Sequence, residues 1–503
     1  MKIVVVGAGV SGAHAALTLL ERNFNVELWD VGREENPFPE KGATFQELKS
    51  RLDDPADYFL GDELVAMISP ASNELLRYPP SRHFLMSRDD PLWDFEPDGF
   101  EPFGSYNRGG LANGWGANAI SYDDNDMADW PISAIDMESA YRSVYERTPV
   151  AGPTDDELAP YLSGTYPSQP PVQLSTTDKK LLRSYEKNRH RIERLGVVIG
   201  HARLAVVTDS QREDSCDYCD RCLWGCPRKA IYNPAFSTLK SCESYKGFSY
   251  RPGRKVLSLL TNRERIDEIR YLDTESGQIH QESCDAVFLA AGALESGGIF
   301  LRTLKSARPD ISPTSAGLMD THVVKLPYVM LNNIGQPADC RSFQFNRLIM
   351  GIIQDDDLWP RYLHGEMLHL SSLLYHPLIE WLPFDSLFSK RLFFTLKSAL
   401  GTISLFFPDK ITPDSRQTLV EGGERWERIQ LHSRESKEKE SYILRSIGTI
   451  RSALWRLGCV PKGVVHSPAG GGIHYAGTIP MGDGPKRCDP TGRSNLFANL
   501  YIC

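Results

Sequence analysis

The chain has 503 residues, a length that corresponds to about three domain-sized units. With 41% hydrophobic and 24% charged residues it can bury a sizeable core, which excludes a disordered chain. A formal net charge of −9 argues against a nucleic-acid footprint, which needs a basic face, and no run of about 18 apolar residues predicts a spanning helix. The N-terminus, Met1-Lys-Ile-Val-Val-Val-Gly7, lacks the charged start, long apolar core and cleavage site of a secretory signal. A cytoplasmic protein is expected, with its ten cysteines as free thiols, metal ligands or catalytic groups.

Lys2 to Val6 predicts a strand buried on both faces, Ala13 to Arg22 has helical spacing, and Val26 to Trp29 predicts a second strand ending at Asp30. Between the first strand and the helix stands Gly7-Ala8-Gly9-Val10-Ser11-Gly12. In a dinucleotide fingerprint Gly7 permits the tight turn, Gly9 lets backbone approach a pyrophosphate, and Gly12 lets helix and strand pack closely. The helix N-terminus offers free N–H groups to phosphates, and Asp30, about 20 residues on, is placed to accept from ribose hydroxyls. This signature alone does not separate FAD from NAD.

Residues 31 to 104 read as loops and short helices, and 130 to 200 as helical with Pro-rich breaks. Cys216-x2-Cys219-x2-Cys222-x3-Cys226-Pro227 has the spacing of bacterial ferredoxins. Three readings of it stay open: a [4Fe–4S] cluster, a zinc site, or structural thiols. A cluster needs this one loop to supply all four ligands, or to borrow a remote thiol such as Cys242. Cys284, Cys340, Cys459 and Cys488 default to core thiols.

Lys255 to Asp273 and Ala286 to Ala290 predict further strands. At Ala290, Ala291 and Gly292, small residues permit either backbone approach to a cofactor or a close-packed turn. Leu373 to Phe407 is rich in Leu and Phe. The favoured reading is the core of a second domain, and the less favoured one is contact with a membrane surface or an apolar substrate channel. Ser436 to Leu457 predicts an amphipathic helix, stopped by Gly458 and Pro461.

Three segments together resemble the glucose–methanol–choline family of FAD-dependent oxidoreductases. They are Gly109-Gly110-Leu-Ala-Asn113-Gly114-Trp115-Gly116-Ala117, followed by Asp129-Trp130-Pro131; Leu289-Ala-Ala-Gly-Ala-Leu-Glu295; and His474-Tyr-Ala-Gly477-Thr478-Ile-Pro-Met481-Gly482. The resemblance implies an α/β fold: a discontinuous Rossmann-type FAD domain over 1–305 and 460–503, and an α+β substrate domain over 306–459. It implies that Gly109, Gly110, Asn113 and Gly116 lie along the pyrophosphate and flavin, and that Ala291, Gly292 and the backbone of Val256 lie near the adenosine. It implies oxidation of a CH–OH group, with hydride passing to flavin N5 and His474 as base, because imidazole titrates near operating pH. A loop histidine that only satisfies neighbouring carbonyls is the alternative.

The expected partners are a small alcohol and an electron acceptor that the residues do not name. In the family an Asp-Gly or Asp-Ala turn against the flavin follows Asn-Leu-Tyr-Val, and a later segment carries a second catalytic His or Asn. Here the given sequence reads Asn499-Leu-Tyr-Ile-Cys503 and ends. Two further readings therefore stand beside the alcohol-oxidising one: a flavin and iron–sulfur electron-transfer protein, and a shortened, non-catalytic relative.

Overall fold

The computed structural model describes residues 1–34, 45–61, 64, 79–86, 88, 90–162, 164–339, 341–354, 358–370, 379, 382–422, 425–434 and 437–503. Ile3–Val6 is the middle strand of a five-stranded parallel sheet. Ala286–Leu289 and Val26–Trp29 flank it, and Leu500–Ile502 and Phe248–Arg251 lie at the edges. Paired on both sides and covered on both faces, these inner strands are mostly apolar, and Val4, Val5, Leu28 and Trp29 are fully buried. Burial of each such side chain contributes roughly 1.5–3 kcal/mol. The crossover between the first two strands is the helix Val10–Glu21, which lays Ala13, Ala16, Leu17 and Leu20 on the sheet.

The second large layer is a seven-stranded sheet, antiparallel throughout. Its long central strands are His322–Met330, Leu400–Phe407, Tyr362–His369 and Leu348–Ile353. Val197–His201, far back in the chain, completes one edge, and Cys459–Pro461 and Val465–His466 complete the other. One face of this sheet, including Val324, Leu326, Tyr328, Ile403, Leu405 and Phe407, packs on the helices Thr176–Glu193 and Lys437–Arg456. The second helix spans nearly the predicted range, and Gly458 ends it at φ +78°.

Two smaller sheets join the layers. Arg254–Asn262, Arg265–Asp273 and Ile279–Ser283 form an antiparallel meander. Thr314–Ala316, Arg416–Val420, Arg428–His432 and Phe95–Asp98 form the other sheet. A buried charge network ties them to the helix Gly292–Ala307: Lys255 reaches Glu295 at 3.0 Å and Asp94 at 3.6 Å, and Arg302 reaches Asp94 at 2.6 Å.

The apolar stretch behaves in two ways. Its strand Leu400–Phe407 is core, as the favoured reading expected. Its helix Ser386–Leu396 buries Phe393 but leaves Leu387, Phe388 and Phe394 exposed, because apolar residues surround the helix and it has one packed side. Leu374 and Trp381 lie outside the described residues. Cys284, Cys459 and Cys488 are buried free thiols, and Cys340 lies outside the described residues. Among the described residues no helix is long and apolar enough to cross a membrane.

Candidate functional site

The first glycine turn is built as close-packed backbone. Gly7 sits at φ +105°, and a Cβ there would come within 2.4 Å of the Ala290 carbonyl oxygen. A Cβ on Gly12 would come within 1.9 Å of the Gly7 carbonyl oxygen. Gly9 is different: a Cβ there would meet nothing within 4 Å. The turn is therefore sealed toward the sheet at Gly7 and Gly12 and open at Gly9, above the N-terminus of the helix Val10–Glu21.

Other segments converge on that opening. Gly109 and Gly110 both take positive φ, and a Cβ on Gly110 would lie 3.5 Å from the Gly9 Cα. Asn113 holds this second turn by donating to the Arg108 and Gly110 carbonyls at 3.0 and 2.9 Å, and it accepts from Asn233 at 2.7 Å. Gly116 has only the Asn118 amide within 4 Å of its would-be Cβ, at 3.9 Å. Asp30 ends the second strand of the parallel sheet. Burial pushes its carboxyl up to about 7, although the N–H groups of Ala8 and Val31 and the Tyr250 hydroxyl donate to it. Ala291 caps the helix Gly292–Ala307, whose first residue has φ +79° and open space where a Cβ would be. Val256 is buried in the meander, one residue from the buried Lys255 ammonium.

His474 belongs to a loop held from below by Asp320, which accepts the backbone N–H groups of Gly472 and His474 at 2.9 and 3.0 Å. The Thr478 hydroxyl ties the same loop to the Ala293 carbonyl at 2.7 Å. Ile473 is forced to φ +62° and lines a small cavity with Leu111 and Gly114, so this loop meets the second glycine turn. A β-branched residue in that region costs about 1–3 kcal/mol and persists only where its surroundings hold it. The His474 side chain is accessible to solvent, yet burial lowers its pKa. Together these two facts describe a ring on the wall of a recess.

The opposite wall is the second face of the seven-stranded sheet. Phe406 packs on the His474 ring at 5.6 Å between centroids. Beside it, in register, stands His364, whose pKa falls to about 4 through burial and the charge of His474. Lys325, Ser404 and Glu366 form the next row across three strands. Burial lifts the Glu366 carboxyl to about 8 against the pull of Lys325 and of Asn118, whose amide donates to it. Burial lowers Lys325 against the charge of Glu366. This face of the sheet thus brings His364, whose pKa is lowered, and a carboxyl–ammonium pair toward the Phe406–His474 contact. A roomier cavity, about 270 Å³, lies beyond Asp320 against Trp359, Lys410 and Lys439. It includes neither His474 nor the glycine turns.

No family model matches the chain, and comparison with curated proteins finds no match in sequence. Solved structures do match. Pyridoxine 4-oxidase from Mesorbium loti superposes with a TM-score of 0.59 over 100% of this chain and 93% of its own, at 14% identity. An FAD-dependent oxidoreductase from Chaetomium thermophilum, solved with a bound fragment, superposes with a TM-score of 0.53 over 99% and 93%, at 13% identity. The chain shares the overall fold of these two proteins, a mixed α/β architecture with a parallel sheet and several further sheets. The likeness to both structures is one of fold, at 14% and 13% identity.

Cys216, Cys219, Cys222 and Cys226 lie on one irregular segment, whereas Cys242 packs against Ala13 in the core under the parallel sheet. Among the described residues no three His, Cys, Asp or Glu side chains are placed to hold one metal ion. Lys325, His364, Glu366, Asn118 and Asp320 went unnoticed in the sequence. A signal existed for two of them: His364 and Glu366 alternate with the buried Leu363 and Met367, which is the pattern of a strand with one polar face turned to a cavity.

Proposed function

We propose that this chain is an FAD-dependent oxidoreductase that oxidises a CH–OH group, with His474 as the base. One observation carries the reading: the open glycine turn at Gly9, the Gly109-Gly110 turn and the His474 loop converge, with the polar wall of the second sheet facing the histidine. The residues fit the cofactor, since Gly9 and Gly292 leave space where side chains would stand and Asp30 ends the strand beside them. FAD, when bound, supplies the hydride acceptor.

The chain's own groups do the rest. His474, kept neutral by its surroundings, is in the form that accepts the hydroxyl proton at a ring nitrogen. Asp320 fixes the backbone that carries it. Phe406 limits the ring's rotation and keeps water from one side of it. Glu366, Lys325 and His364 offer hydrogen-bond donors and acceptors to the remainder of a polar substrate. We assign residues 306–459 chiefly to the wall over the substrate, and 1–305 with 460–503 to holding the cofactor.

The test is His474→Ala in the full chain. The variant should bind FAD with unchanged visible bands while kcat for alcohol-driven dye reduction falls by about 10²–10⁴. Wild-type turnover in that variant overturns the role of the histidine. A protein that takes up no FAD overturns the reading entirely.

A further inference from the structure

The helix Lys437–Arg456 carries a charge where its pattern calls for an apolar side chain. Its buried positions begin Lys439, Tyr442, Ile443, Ser446 and Ile447, the spacing of one packed face. Lys439 opens that face, with its side chain 8% exposed. An ammonium taken out of water needs a partner, and Asp409 supplies one at 3.0 Å. Replacing such a pair by apolar side chains often leaves stability unchanged, so stability alone gives little reason for a lysine at this position.

The place of Asp409 gives another reason. It lies two residues beyond the strand Leu400–Phe407, and Asp320 lies two residues before the strand His322–Met330. His322 pairs with Phe407, so both aspartates leave the sheet at the same end. One carboxylate oxygen of Asp409 holds Lys439, and the other accepts the backbone N–H of Asp320 at 3.3 Å. The Asp320 carboxylate in turn accepts from Gly472 and His474. The loop lies directly on this segment. Met319 and Ala476 exchange backbone hydrogen bonds at 3.0 and 3.1 Å, and a Cβ on Gly472 would come within 1.8 Å of the Thr321 carbonyl oxygen. The cavity of about 270 Å³ borders Asp320, Asp409 and Lys439, so on that side polar bonds rather than packing hold the three.

We infer that Lys439 and Asp409 are positioning residues for His474. Lys439 orients the Asp409 carboxylate, Asp409 fixes the Asp320 backbone, and Asp320 fixes the main chain on which the imidazole stands. A shift of the helix N-terminus against the sheet therefore reaches the histidine through three polar contacts and no ligand contact. The effect on turnover rests on His474 being the proposed base. The mechanical link does not, because it consists of bonds within the protein.

The test uses the full chain as purified. Hydrogen exchange of the peptide covering 470–478 is followed by mass spectrometry, with the peptide covering the strand Ile3–Val6 as internal reference. Lys439→Met with Asp409→Leu removes both charges and leaves neither uncompensated. Its 470–478 peptide should exchange at least about tenfold faster than in the wild type, with the reference unchanged. In the same variant kcat for alcohol-driven dye reduction should fall by about 10–10²-fold while KM moves by less than about threefold. Lys439→Arg keeps the pair, has the cavity to extend into, and should return most of the lost turnover. Unchanged exchange at 470–478 overturns the inference, and so does faster exchange with wild-type kcat. Where the double variant fails to fold, Lys439→Gln is read in the same two ways. Exchange is measured without turnover, so a loosened 470–478 segment in a protein whose wild type oxidises no alcohol sinks the enzyme reading and leaves the link standing.

Discussion

The turn at Gly7–Gly12 and the polar face of the seven-stranded sheet border one candidate site by opposite means. The turn works through backbone shape: two of its glycines are in van der Waals overlap with any added carbon, and one faces open space. The sheet face works through side-chain charge in a poorly hydrated recess, where Glu366 is lifted and Lys325 and His364 are lowered. A steric site is indifferent to pH and fails when an atom is added. An electrostatic wall keeps its shape under substitution and fails when a proton moves.

The largest effect that separates them is steric. Gly12→Val should destabilise the fold by about 3 kcal/mol or more, since its Cβ would collide with the Gly7 carbonyl. Gly9→Ala should melt within about a degree of wild type and yet weaken FAD at least about tenfold, ~1.4 kcal/mol. Equal melting temperatures for the two variants would break the contrast between a sealed and an open glycine.

Next comes pH. Because burial lowers His474, the base stays unprotonated to lower pH than a free imidazole. The acid limb of kcat/KM should therefore lie below the usual pH of about 6.5, and His474→Gln should abolish that limb. A limb at or above 6.5 contradicts the buried-wall description.

Glu366 supplies a smaller, thermodynamic signal. Its folded pKa of about 8 exceeds the ordinary 4.5, so between those values the native state keeps a proton that the unfolded chain has released. Stability should then fall as pH rises through that window, by at most ~1.4 kcal/mol per pH unit. Glu366→Gln should flatten the slope in thermal melts recorded from pH 5 to 8, whereas Gly9→Ala should leave it unchanged. The smallest effect belongs to neither region: Leu387→Ser, on the exposed side of the helix Ser386–Leu396, should change stability by less than ~0.5 kcal/mol.

The two regions also differ in how legible they were. The strand Ile3–Val6, the glycine spacing and Asp30 are local patterns, and the structure places them in one parallel unit. The wall is assembled from strands near 198, 325, 350, 365 and 405, and no spacing within any one strand announces that Lys325, Ser404 and Glu366 share a row. Asp320 supports His474 from 154 residues away, beyond any motif. The apolar helix shows the limit from the other side, since composition marks it as core and only its neighbours decide that Phe393 is covered and Leu387 is not.

Local rules, then, were enough to read the glycine turn and the strand alternation, because each depends on backbone sterics over a few residues. Which polar side chains face the histidine and which carboxyl is lifted by burial were settled by long-range pairing alone. Desolvation depends on everything packed around a group, and that surrounding mass comes from segments hundreds of residues apart.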